Sequence, residues 1–178
     1  HCKPARIASD VLAFAVVNCG VVVGLRAESN EVKVELKNSQ GQSIGTATLS
    51  AAKPAGVSVT LDVRNLPPGQ HGFHFHQNAK CEGPTFESAG PHLNPDQKKH
   101  GAKNLEGPHA RDMTNITVTS DGTARTTVAN SYVTLASDGH SVFRNGGTAL
   151  VIHAKADDMM TDPDGNAGDR IGCGVIVK

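Results

Sequence analysis

Six of the nine histidines in this chain fall between His71 and His109, and a fold for the chain must explain that concentration. The run begins with His71-Gly-Phe-His74-Phe-His76. It continues through Cys81, His92, His100 and His109 to Asp112. The segment around His74 and His76 is apolar and aromatic. Pro67-Pro68-Gly69 precedes it and Asn78 follows, which predicts a strand. Side chains alternate across a strand, so His74 and His76 share one face, while Phe73 and Phe75 share the other with His71. Two imidazoles side by side suit a borderline or soft cation such as copper or zinc, although the pair alone also fits two solvated histidines. His71, on the core side, reads as a buried histidine with its hydrogen bonds satisfied.

The series His92, His100, His109, Asp112 advances in steps of 8, 9 and 3 through a region rich in Gly, Pro, Asn and Lys. It has neither helical nor strand period and reads as one long loop. A loop of that length inside a compact domain is functional or held by something. Three imidazoles and a carboxylate make a tetrahedral zinc set, and zinc would offset the entropy lost in ordering the loop.

Together these stretches resemble the copper/zinc superoxide dismutase family, in its bacterial exported branch. The resemblance rests on His-Gly-Phe-His-Phe-His, on Ser88-Ala-Gly-Pro-His-Leu-Asn-Pro95, and on the spacing of His100, His109 and Asp112. Downstream, Ala149-Leu-Val-Ile-His-Ala-Lys-Ala-Asp-Asp158 and Gly165-Asn-Ala-Gly-Asp-Arg-Ile-Gly-Cys-Gly-Val-Ile176 resemble the family's last active-site strand and its arginine loop. It covers about residues 31 to 177.

Outside that run the chain reads as β-structure. Val32 to Lys37 alternates apolar and polar residues. Ile44 to Leu49, Val57 to Val63, Thr148 to His153 and Ile171 to Val177 are further strands, and Val133 to Val142 is a connection. Ile116 to Thr119 and Ala124 to Val128, across Ser120-Asp-Gly, predict a hairpin. Eight short strands without a convincing helix indicate an all-β Greek-key barrel or sandwich. The resemblance implies an eight-stranded flattened Greek-key β-barrel, an immunoglobulin-like sandwich with a long metal-binding loop. Residues 30–178 would form this domain. Residues 1–29 read as a signal peptide or N-terminal extension, because Lys3 and Arg6 precede an apolar run from Val11 to Leu25 and Ala27 is small. Cys19 invites a lipoprotein reading, but Val16-Val17-Asn18 is a poor approach to a lipidated cysteine. The expected location is therefore periplasmic or extracellular, with no membrane association of the mature domain. A formal net charge of zero argues against nucleic acid as a partner. A homodimer is left open. Asn115-Ile116-Thr117 matches a glycosylation sequon.

With the leader removed, Cys81 and Cys173 remain, and two cysteines in an exported domain suggest one disulfide, two buried thiols being the alternative. The family has a bridge at these two places. Residue by residue, the resemblance implies copper on His74, His76, His92 and His153, and zinc on His92, His100, His109 and Asp112, with His92 bridging both metals. Asp157 would tie a copper-side histidine to a zinc-side one, and Arg170 would dock superoxide. The implied activity is dismutation of superoxide to oxygen and hydrogen peroxide by copper cycling between Cu(II) and Cu(I), with Arg170 and His92 as the catalytic side chains. Residues 157 to 170 carry several aspartates and no lysine, so positive potential at the mouth would have to come from Lys155, Lys98, Lys99 or Lys103. A copper chaperone or store on the same fold, or a structural zinc domain, are the competing readings.

Overall fold

The computed structural model describes residues 30–101, 103, 105 and 113–178. The expected leader, with Cys19, and the expected zinc ligands His109 and Asp112 lie outside the described residues. Among those described there are nine strands: β1 Val32–Lys37, β2 Ser43–Ala51, β3 Val57–Val63, β4 Gly69–His71, β5 Phe73–His76, β6 Ile116–Val118, β7 Ala124–Asn130, β8 Thr148–His153 and β9 Arg170–Ile176. Single 3-10 turns at Glu87–Ala89 and Arg144–Gly146 are the helical segments. Seven strands form a curled antiparallel sheet, a half-barrel, in the order β5-β8-β9-β1-β2-β3-β7, and β4 pairs with β6 beside it. The chain leaves β3 for the opposite edge, returns to pair β7 with β3, and crosses again to set β8 between β5 and β9. These long returns are Greek-key connections rather than a simple meander.

The stretch from Gly69 to His76 forms two strands, β4 and β5, rather than one, which brings the strands among the described residues to nine. The chain divides at Gly72, whose N–H donates to Lys155 O at 2.8 Å and whose carbonyl accepts from His153 N–H at 2.8 Å. A side chain at Gly72 would meet Ala167 Cβ at 3.0 Å and His74 Cε1 at 3.2 Å, so this close approach needs glycine. The expected hairpin ladder between 116–119 and 124–128 does not form. Thr119 N–H does close the turn on Thr123 O at 2.9 Å, but β7 spends its whole length on β3 and β6 turns onto β4.

Burial shows what each strand does. β1, β2, β3 and β7 largely alternate, with Leu36, Ala47, Leu49, Val59 and Leu61 in the core and polar residues outward. β5 and β8 are buried on both faces along their whole length. Phe73, Phe75, Leu150 and Ile152 enter the main core. On the other face Ala149 and Val151 pack with Phe86, Ala89 and Cys173 in a second cluster. Full burial of a side chain such as Phe86 contributes about 1.5–3 kcal/mol, and it fastens the 77–90 loop over β8. The Cys81–Cys173 disulfide fastens the same loop to β9.

Candidate metal centre

The outer face of β5 presents His74 and His76, both fully buried, as strand parity predicts. The long loop then extends the sheet. Gln77 N–H donates to Pro91 O and Leu93 N–H to Phe75 O, both at 2.9 Å, so residues 91–93 lie along β5 as a short antiparallel bridge. That bridge turns Leu93 into the core and sets His92 beside His76. His153, the last residue of β8, completes the group. The ligand nitrogens of His74, His76, His92 and His153 lie within 4.8 Å of one another. His92 stands between two environments, its ring centroid 4.3 Å from His74 and 4.6 Å from His76 on one side, and 5.4 Å from His100 on the other.

Backbone acceptors decide which nitrogen each ring offers. A carbonyl can only accept, so His76 Nδ1–H donates to Gly90 O at 2.8 Å and His153 Nδ1–H to Gly168 O at 3.1 Å. Each Nε2 of the neutral rings is then a lone pair, and the two Nε2 atoms are 3.3 Å apart. Facing lone pairs at that distance repel each other unless a cation lies between or beside them. A proton is a poor candidate. Burial, then neighbouring His74, pushes the His153 pKa down to about 4, and burial holds His76 well below its ordinary value. A metal satisfies the arrangement, and imidazole nitrogen suits copper and zinc.

Asp157 joins the two halves. Its carboxylate accepts from His74 Nε2–H at 2.5 Å and from His100 Nε2–H at 2.8 Å, with its side chain almost wholly buried. Both rings thereby turn Nδ1 away from the carboxylate. Burial alone would raise the Asp157 pKa, but the hydrogen bonds from His100 and then His74 outweigh it and hold the carboxyl far below its usual range. His100 N–H donates to Asp162 Oδ1 at 2.8 Å, which ties the long loop to the turn after β8. His71 stands apart from the cluster as expected. Its two ring nitrogens face His153 O at 2.8 Å and Pro67 O at 2.6 Å.

Arg170 opens β9 directly across from His153 in the ladder, next to a bulge. Its guanidinium donates to Phe86 O at 2.8 Å. Burial lowers its pKa somewhat, against the pull of Glu87 and Asp164, and an arginine so placed remains a cation. His92, His153 and Arg170 line a cleft of about 690 Å³ whose walls also carry Lys98, Glu87 and Asp164. Of the four lysines considered for the mouth, Lys98 lines this cleft.

Several partners had no sequence signal. Phe86, Gly90 and Gly168 act through backbone carbonyls, which no letter encodes. Asn115 could have been noticed, but its sequon points to another use.

Fold and histidine cluster together define a metal-binding β-barrel protein. A family model for "Copper/zinc superoxide dismutase (SODC)" matches residues 43–176, and the chain belongs to that family. Two copper/zinc superoxide dismutases of Aquifex aeolicus are 49% and 46% identical to it, over 80% and 84% of this chain and 84% and 89% of theirs. A solved superoxide dismutase-like protein from Bacillus subtilis superposes with a TM-score of 0.79 at 34% identity, covering 82% of this chain and 97% of that one. The copper/zinc enzyme of Brucella abortus gives a TM-score of 0.67 at 26% identity, over 82% and 99%. Membership makes the chain an oxidoreductase with copper and zinc as its metals.

Proposed function

We propose that this chain converts two superoxide anions and two protons to oxygen and hydrogen peroxide at the floor of the cleft. The observation that carries the reading is the facing pair of His76 and His153 Nε2 atoms, 3.3 Å apart, with Arg170 opposite His153. His74 through Nδ1, and His76 and His153 through Nε2, would hold copper together with His92. The other nitrogen of His92, with His100, His109 and Asp112, would hold zinc. When bound, copper would supply the one-electron Cu(II)/Cu(I) couple and zinc would order the long loop that carries its ligands. Arg170 docks the anion by charge and by the donors not used on Phe86 O. His92 would carry one proton for the product on its ring nitrogen nearer His76, in the half of the cycle in which that nitrogen does not ligate copper, and water would supply the other. Asp157 keeps His74 and His100 in fixed tautomers, so neither ring competes for that proton. The Cys81–Cys173 bridge and the bacterial relatives support an exported protein.

The test is metal content and superoxide dismutation on protein reconstituted with both metals, beside Arg170→Ala and His74→Ala. About one copper and one zinc per chain are expected. Arg170→Ala should lose about 10- to 100-fold in kcat/KM, the worth of a charge-assisted hydrogen bond. His74→Ala should be nearly inactive. Tight copper without activity would move the weight to a copper store, and full zinc without tight copper to a structural zinc domain.

A further inference from the structure

Asn115 heads the sequon Asn115-Ile116-Thr117, and the structure gives its side chain a different task. Its Nδ2 donates to Asp157 O at 3.0 Å, and its Oδ1 accepts from Asp157 N–H at 2.8 Å. A carboxamide carries a donor and an acceptor side by side, so it can satisfy both main-chain groups of one residue as a neighbouring strand would. The residue it grips is the one whose carboxylate reaches His74 and His100 at once. Fixing both peptide groups of Asp157 fixes the direction of its Cα–Cβ bond, and with it where the carboxylate lands. A third hydrogen bond, from Met159 N–H to Asp157 Oδ1 at 2.7 Å, sets the carboxylate rotation.

We propose that Asn115 is a positioning residue of the metal centre, clamping the Asp157 backbone so that one carboxylate orients a histidine from each metal position. In sequence it lies three residues after Asp112 and one before β6, so the clamp also ties the end of the long loop to the turn after β8. The inference rests on the reading of His74 and His100 as ligands on the two sides. Aspartate at this position would keep the acceptor for Asp157 N–H and lose the donor to Asp157 O. Alanine would lose both.

The experiment uses holoprotein loaded with zinc and Cu(I), both closed-shell and diamagnetic, with histidine labelled by 15N. The Nε2 protons of His74 and His100 report on Asp157. The Nδ1 protons of His76 and His153, bonded to Gly90 O and Gly168 O, are the internal reference. In Asn115→Ala the His74 and His100 protons should exchange about tenfold faster or more. Zinc release to a chelator should quicken about 10- to 100-fold. The reference protons should keep their wild-type rates. Asn115→Asp should fall between, and it decides the matter on the same criteria if the alanine variant does not fold. Four wild-type exchange rates in Asn115→Ala would overturn the clamp, as would equal acceleration of all four, which is general loosening. Wild-type protein lacking the His74 and His100 Nε2 protons would instead overturn the bridging reading of Asp157, and the clamp with it.

Discussion

Gly165 is where a single methyl group tests the architecture of the centre. Its φ is +65°, and a Cβ built there would lie 1.9 Å from Asp157 Oδ1, 2.4 Å from Asp157 Cγ and 2.6 Å from His100 Nε2. No rotation of the new methyl relieves this, so Asp157 must move, and its carboxylate is held by His74, His100 and Met159 N–H. Gly165→Ala therefore carries two costs. Left-handed backbone costs a residue with a Cβ about 1–2 kcal/mol. Losing the hydrogen bonds from His100 to an ionised carboxylate costs about 1.5–3 kcal/mol more. Together they make about 2.5–5 kcal/mol.

Gly41 separates the two. It has φ +79° and nothing within 4 Å of its built Cβ, so Gly41→Ala carries the backbone cost alone, about 1–2 kcal/mol. Denaturant unfolding of both metal-free variants measures the costs, and zinc release to a chelator measures the consequence for the site. Gly165→Ala should lose about 2 kcal/mol more than Gly41→Ala and release zinc about 10- to 100-fold faster than wild type. Gly41→Ala should release zinc at the wild-type rate. Equal destabilisation of the two variants, with zinc release unchanged in both, would refute the claim that Asp157 is wedged between Gly165 and His100.

Stability of the metal-free protein should fall as pH drops from about 6.5 to about 4, by up to about 3 kcal/mol, because His153 has a depressed folded pKa and the unfolded chain binds more protons across that window. Below that window Asp157, with its carboxyl held low, should add a further loss as it protonates, and denaturant midpoints across pH read both. Lys98→Gln should lower kcat/KM and Glu87→Gln should raise it, each about twofold at low ionic strength, since both line the cleft and two unit charges roughly 8 Å apart in water interact by about 0.5 kcal/mol. Both changes should vanish in high salt. Cys81→Ser with Cys173→Ser opens a loop of sequence separation 92 and should cost up to about 4–5 kcal/mol in denaturant unfolding.

What could be read from the letters divides by the kind of atom involved. His74 and His76 share a face because strands alternate, and their grouping with His92 and His153 was implied by the family resemblance. The role of Asp157 came from resemblance, since an acidic pair after a strand otherwise reads as solvent-exposed. Main-chain partners were invisible. Gly90 O and Gly168 O select the nitrogen that His76 and His153 turn inward, and Phe86 O holds Arg170, yet each depends on a backbone path that the residue type does not specify. The bonds of Asn115 to the Asp157 backbone had no signal beyond a sequon match, because they depend on a contact 42 residues away. Among four lysines, only the path of the folded chain selects Lys98 for the cleft.

The double burial of β5 and β8 explains why the histidines are legible as a group and vulnerable as one. A strand at the edge of a half-barrel would normally offer water a polar face. Here that face is covered by the 77–93 segment, pinned by Phe86 and the disulfide, and part of what it covers is imidazole rather than hydrocarbon. Buried polar rings stabilise a layer only when their nitrogens are satisfied. Carbonyls and Asp157 satisfy one nitrogen on each of His74, His76, His153 and His100. The inward nitrogens of His76 and His153 meet each other instead, and only a cation makes that contact favourable. On the proposed reading, metal would complete the layer that covers the sheet. Acidification of the metal-free protein and a methyl at Gly165 are two ways to disturb that same layer.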